Sequence, residues 1–173
     1  MEDVTSARTI AVIGVSGSGK STIACSLAQR LDFDFCEADD LHSPGNIDKM
    51  RRGQPLSDVD RIPWLRAVGR AILDARRNRH GIVVACSALR RDYRDIIREY
   101  DSSTYFVLLE GTQDLISSRI ASRSHDFMSP SLLPSQFALL EELEEDERGQ
   151  VSDVSRSVET IVDSIVHAVR RGD

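Results

Sequence analysis

Residues of one short segment have the types and spacing that grip a phosphate. Gly14-Val15-Ser16-Gly17-Ser18-Gly19-Lys20-Ser21 fits the pattern Gly-x-x-x-x-Gly-Lys-Ser/Thr, the P-loop. In that pattern Gly14, Gly17 and Gly19 let the backbone turn tightly and approach phosphate oxygens, so that successive N–H groups point at the anion. Lys20 supplies a cation for the β- and γ-phosphates, and the Ser21 hydroxyl can ligate Mg²⁺. A P-loop alone indicates a nucleotide, not a reaction.

Charged groups further along narrow the chemistry. Glu37, Asp39 and Asp40 lie close together, with His42 just beyond them. Moving a phosphoryl group to an alcohol needs a base or orienting group near the acceptor hydroxyl, and metal to neutralise charge. Asp39 is the candidate for the first role. Glu37 points to the opposite side of an extended strand, unless the chain has already turned; it can assist a metal through water. His42 precedes the turn-rich Ser43-Pro44-Gly45-Asn46. In the stretch 54–65, Asp58 or Asp60 can cap the helix that follows. Arg61 at the mouth of that helix can bind a carboxylate bidentately.

These groups need a scaffold that brings them together. Apolar runs predict strands over 9–14, 33–38, 81–86 and 104–109, with a weaker fifth near 151–154. Helical spacing predicts helices over 20–31, 46–52, 62–77, 92–100, 114–122, within 134–144, and over 158–170. The last carries a stripe of Val158, Ile161, Val162, Ile165, Val166 and Val169. Pro63 suits an early helical position where no N–H is needed. Strands alternating with helices imply a parallel sheet covered on both faces. Ligands of such sheets sit beyond the carboxyl ends of the strands. The P-loop, the Glu37–His42 cluster and Ser87-Ala88-Leu89-Arg90-Arg91 all follow strands, so polar chemistry converges on one edge.

At 173 residues the chain reads as one domain. A net charge of −6 argues against a general nucleic-acid or anionic-membrane binder. No apolar stretch approaches the ~18–20 residues of a membrane span. The first eight residues are polar, lack the pattern of a signal peptide and are expected to be flexible. Cys25, Cys36 and Cys86 show no metal-ligand spacing, which predicts small buried thiols in a reduced, cytoplasmic setting.

Residues over most of the chain carry a resemblance. They are Gly14–Ser21, Asp39-x-x-His42, 46–50, Gly53-Gln54-Pro55-Leu56-x-Asp58-x-Asp60-Arg61-x-Pro63-Trp64-Leu65, Cys86-Ser87-Ala88-Leu89-Arg90-Arg91-x-Tyr93-Arg94-Asp95, and Leu132-Leu133-x-Ser135-Gln136-Phe137. The chain resembles the gluconokinases among the small P-loop carbohydrate kinases. The resemblance implies a P-loop kinase fold in a single domain over 1–173. Its five-stranded parallel sheet has the order 2-3-1-4-5, with helices on both faces and a small lid near 119–135. It implies ATP-dependent phosphorylation of D-gluconate on its 6-hydroxyl, with Mg²⁺. ATP would be held by Gly14, Ser16, Gly17, Ser18, Gly19, Lys20, Ser21, Thr22, Arg119 and Arg123, with Ser21 on the metal. Lys20, Asp39 and Arg123 would be catalytic. Asp39, His42, Lys49, Arg61, Ser87 and Arg90 would bind gluconate, with Arg61 or Lys49 at its carboxylate. A homodimer is mildly favoured.

The lid departs from the family pattern, reading Arg123-Ser124-His125-Asp126-Phe127-Met128 where Arg-x-Gly-His-Phe is usual. The acidic run over 141–147 is expected to be a solvated helix end. A shikimate-kinase-like acceptor, or a module that binds ATP without transferring phosphate, are the competing readings; the second has no need of an acceptor pocket.

Overall fold

The computed structural model describes residues 8–122 and 129–172. The strands are β1 (Thr9–Ile13), β2 (Asp34–Glu37), β3 (Ile82–Ala85), β4 (Tyr105–Glu110) and β5 (Gly149–Asp153). The helices are α1 (Lys20–Leu31), α2 (Pro44–Arg51), α3 (Asp58–Arg77), α4 (Arg91–Arg98), α5 (Gln113–Ala121), α6 (Leu133–Leu139) and α7 (Val158–Arg171), with short 3₁₀ turns at Ala38–Leu41 and Pro130–Leu132. The strands form one sheet of order β2-β3-β1-β4-β5, and every pairing is parallel. The order agrees with the one the resemblance implies.

The alternation of strand side chains splits the core in two. Ile10, Val12, Val83 and Val107 face α1 and α7, where they meet Ile23, Leu27, Ile161 and Ile165. Ala11, Ile13, Val84, Phe106 and Leu108 face α3 and α4, against Leu65, Val68, Ile72 and Ile97. The predicted stripe of α7 is buried from Ile161 to Val169, but Val158 is exposed at its first turn. Among the described residues no helix is long and apolar enough to cross a membrane. The three cysteines are free thiols. Only Cys86 is fully buried; Cys25 and Cys36 are half-buried, because each lies on an element with one face open.

Helix starts differ from expectation where a serine takes over. Ser57, not Asp58 or Asp60, is the N-cap of α3, and its side chain exchanges hydrogen bonds with Asp60 in a capping box. The helix therefore begins four residues before the expected 62, and Pro63 lies inside it rather than at an early position. The carbonyl that loses a partner there belongs to Val59, which is exposed to water. Ser43 likewise caps α2 and accepts from the Asn46 N–H, moving its start to Pro44.

The acidic run over 141–147 is not a helix end. α6 stops at Leu139, and the run lies against α4 as its counter-charge. Arg91 pairs with Glu144 and Asp146, and Arg98 with Asp146. Arg94 and Glu147 form an ion pair whose side chains are both 0% exposed. The Arg94 guanidinium gives two bonds to the Glu147 carboxylate, at 2.6 and 2.8 Å, and others to the carbonyls of Leu89, Glu141 and Glu142. Such saturation is what makes a buried charge tolerable.

Candidate active site

The P-loop joins the buried end of β1 to α1. Its glycines do three different jobs. Gly19 has φ 95°, and a Cβ there would meet nothing within 4 Å. Its requirement is therefore conformational, a left-handed turn facing open space. At Gly17, φ is 77° and a Cβ would stand 2.5 Å from Ile120 Cγ1, so α5 closes down on the loop from behind. Gly14 packs against β4, with Leu109 O 3.0 Å from a hypothetical Cβ, and its N–H donates to Ser87 O. Only Gly19 thus serves approach to a ligand in the way the motif alone suggested.

The first turn of α1 is suited to an anion. Its N-cap, Gly19, offers no side-chain acceptor, and the turn holds no acidic residue. By contrast α2, α3, α5 and α7 are each capped by a Ser or Thr side chain. The first N–H groups of a helix have no intrahelical partner, and here they stand at the positive end of the helix dipole. The Ser18 hydroxyl is buried with no hydrogen-bond partner among the described residues. Lys20 Nζ lies 2.8 Å from Val15 O, arched over the loop. These groups fit the phosphates of ATP.

The Glu37 ambiguity is resolved by the backbone. β2 ends at Glu37 and the chain turns at once into the 3₁₀ segment, which leaves the Glu37 carboxylate near the Ser21 hydroxyl. Burial pushes the Glu37 carboxyl up, and the neighbouring Asp39 charge adds to it. Among the described residues no cluster of three or more His, Cys, Asp or Glu could hold a metal by itself. A Mg²⁺ here would take Ser21 and phosphate oxygens, with Glu37 behind a water, the arrangement that suits an ion which keeps part of its hydration shell.

One cavity opens beside the loop, with Ser16, Lys20, Asp39, His42, Arg61 and Ser87 on its wall. Asp39 sits in the 3₁₀ turn, which Trp64 pins from α3: its Nε1–H donates to Ala38 O at 2.7 Å. The Trp64 ring also stacks on His42, centroids 4.1 Å apart and planes 14° from parallel. Burial, then the Arg61 charge, lowers the His42 pKa to about 4, so the ring is neutral at physiological pH. Its tautomer follows from a second contact. Asn46 Nδ2 lies 3.0 Å from Asp60 O, which can only accept, so that atom is the amide nitrogen. The same nitrogen faces His42 Nδ1 at 3.3 Å. Nδ1 is therefore the acceptor, and the ring proton is on Nε2.

The three cations expected in the substrate pocket separate. Lys49 is gripped by Asp60 through both carboxylate oxygens, at 2.8 and 2.9 Å, which with Ser57 holds the Asp60 pKa down to about 2. Arg90 is bound by Asp58 and Asp92 and stacks on Tyr93. Neither Lys49 nor Arg90 lies on the cavity wall; in each case a nearby carboxylate claims the charge. Arg61 does lie there. It donates to the Tyr93 hydroxyl at 2.9 Å, and no carboxylate pairs with it among the described residues. The Tyr93 hydroxyl in turn donates a hydrogen bond to Asp58 at 2.6 Å, so Asp58 is satisfied without Arg61.

Arg119 donates to Val154 O at 2.6 Å, tying α5 to the segment after β5, outside the cavity. Thr22 is exposed on the first turn of α1. Arg123, His125 and Asp126 lie outside the described residues, as does part of the expected lid. Missed in the sequence reading are Trp64 as the clamp of the Asp39 turn, and Gln136, whose Oε1 accepts the Ser16 N–H at 2.6 Å. A buried tryptophan N–H needs a partner, a signal that could have found the first.

Comparison with known proteins accords with this geometry. A family model described as AAA domain matches residues 10–138. The chain is 38% identical to the thermoresistant gluconokinase of Escherichia coli K12 over 162 residues, 93% of each protein. It is 43% identical to a gluconokinase of Arabidopsis thaliana over 96% of this chain and 94% of that one. The chain belongs to the gluconokinase family. The crystal structure of a gluconokinase from Sinorhizobium meliloti 1021 superposes with a TM-score of 0.84 at 40% identity, covering 94% of this chain and 91% of that one. Of the three cations Arg61 is the one on the cavity wall, beside Asp39 and His42. Arg61→Ala is expected to raise the gluconate KM by about 10²-fold or more while kcat changes little, as for a charge-assisted anchor. Steady-state kinetics at fixed ATP check this; a fall in kcat alone would give Arg61 another role.

Proposed function

We infer that this protein transfers the terminal phosphoryl group of ATP to the 6-hydroxyl of D-gluconate, giving 6-phosphogluconate and ADP. The observation that carries the reading is the single cavity in which Lys20 of the P-loop and Asp39 of the turn after β2 share a wall with His42 and Arg61. A module that only bound nucleotide has no use for that second wall. Bound Mg²⁺ would neutralise phosphate charge during transfer.

The chain's own residues then divide the work. The α1 N-terminus, Lys20 and the loop N–H groups hold the phosphates, with Ser21 and Glu37 at the metal. Asp39 orients the 6-hydroxyl and takes its proton. His42 donates from Nε2 to a substrate hydroxyl, a role open to it at any pH above its lowered pKa. Arg61 takes the C1 carboxylate, and the Ser87 hydroxyl adds a polar partner. Arg119, in the last turn of α5, and Arg123 are assigned to the nucleotide side as sources of positive charge. The three free thiols fit a reduced compartment, and we place the protein in the cytoplasm.

The test is ADP release with Mg²⁺ and ATP, with and without D-gluconate, and with shikimate as a control acceptor. Release is expected to depend on gluconate. Release that ignores gluconate and follows another acceptor would replace the substrate in this reading.

A further inference from the structure

We propose that Gln136 guards the seat of the transferable phosphate and yields it when the acceptor arrives. Ser16 and Lys20 are the P-loop residues on the cavity wall, so the Ser16 N–H faces the acceptor side of the loop, where the phosphate to be moved must lie. Gln136 Oε1 takes that N–H at 2.6 Å, reaching it from 120 positions away in sequence. A carboxamide oxygen at this distance is the neutral counterpart of a phosphate oxygen. One N–H makes one strong bond, so a phosphate oxygen can use Ser16 only by displacing Gln136.

The same side chain belongs to the acceptor cavity, with Asp39, Ser87 and Ser135. A polyol hydroxyl placed there can donate to the carboxamide oxygen in place of the Ser16 N–H. Acceptor binding then frees the loop donor, and the nucleotide binds more tightly. By linkage the reverse also holds. Without acceptor, the terminal phosphate is held one hydrogen bond short, which disfavours its transfer to water. The helix that presents Gln136 is anchored just past its end: Glu141 N–H donates to Leu89 O at 2.9 Å, and Arg94 holds Glu141 O. The backbone that carries the carboxamide is therefore fixed, and an exchange of partner falls to the side chain.

This inference rests on the P-loop as the phosphate seat. The test measures binding rather than turnover: calorimetric titration with the β,γ-imido analogue of ATP and, separately, with ADP, each with and without gluconate. For the wild type, gluconate is expected to tighten the analogue about two- to tenfold, the worth of one net hydrogen bond, and ADP by less than about twofold. In Gln136→Leu the analogue should bind with that tighter affinity from the start, and the effect of gluconate should vanish. Gln136→Glu has nearly the same shape but puts a carboxylate at the phosphate seat; it should weaken the analogue by about tenfold or more and ADP far less. The opposite signs of the two variants separate guarding from mere packing, which would weaken binding in both. Gluconate coupling that survives in Gln136→Leu, or equal losses for both nucleotides, would overturn the proposal. A wild type that binds neither nucleotide would instead remove the phosphate seat on which it rests.

Discussion

Asp39→Asn is expected to lower kcat by about 10²–10⁴-fold while the affinity for ATP stays nearly unchanged. The size follows from the role. An amide can still accept a hydrogen bond from the 6-hydroxyl, but it cannot take the proton. The selectivity follows from position. Asp39 sits on the 3₁₀ turn clamped by Trp64, apart from the α1 N-terminus, loop N–H groups and Lys20 that are proposed to hold the phosphates. Carboxylate and amide have almost the same volume, so the clamp stays intact. Single-turnover kinetics with saturating gluconate, beside a direct titration of nucleotide, check the split. Near-wild-type turnover would remove Asp39 from the proton's path, and loss of ATP binding would make it a nucleotide residue.

The second large effect is on stability. Arg94→Leu is expected to lower the free energy of unfolding by about 3–5 kcal/mol, because it leaves the Glu147 carboxylate buried without its partner. The double variant Arg94→Leu, Glu147→Leu should cost clearly less than the sum of the two single changes, since neither charge is then stranded. Urea unfolding of the four proteins gives the coupling; simple additivity would mean that the pair contributes nothing as a pair. Acid gives a second handle. Burial alone would raise the Glu147 carboxyl, but the hydrogen bonds from Arg94 and the Glu144 N–H and the nearby Arg94 and Arg91 charges win, and its pKa is lowered. A lowered folded-state pKa means stability that is fully present above the ordinary carboxylate range and is lost as pH falls through the lowered value. The acid limb of stability should therefore flatten in the double variant.

The sheet and the phosphate seat were legible because their signals are local. A strand, three glycines, a lysine and a serine state a conformation and a charge within thirteen residues. That Asp39, His42 and Arg61 come together on one cavity was legible for a related reason, since each follows a strand or opens a helix at the same edge. That Lys49 and Arg90 lie off the cavity wall was not legible, because a cation's availability depends on which carboxylate reaches it first, and Asp60 and Asp58 do so from the first turn of α3. The acidic run was misread for want of its partners, which stand some fifty residues earlier on α4. Composition gave it a surplus of charge; packing gave Glu144, Asp146 and Glu147 arginine partners. Gln136 belonged to a segment of the family resemblance but carried no role there, since an amide on a short helix acquires one only when folding sets it on the P-loop.

The stacked Trp64 has a consequence beyond holding a turn in place. It is the sole tryptophan of the chain. Its indole lies 4% exposed between the turn that bears Asp39 and the His42 ring. Nearly all the long-wavelength ultraviolet emission of the protein therefore originates on the wall of the cavity beside the P-loop. Binding that moves the Asp39 turn or the His42 ring changes the surroundings of that one emitter, so the cavity carries an optical readout of its own, with no label attached.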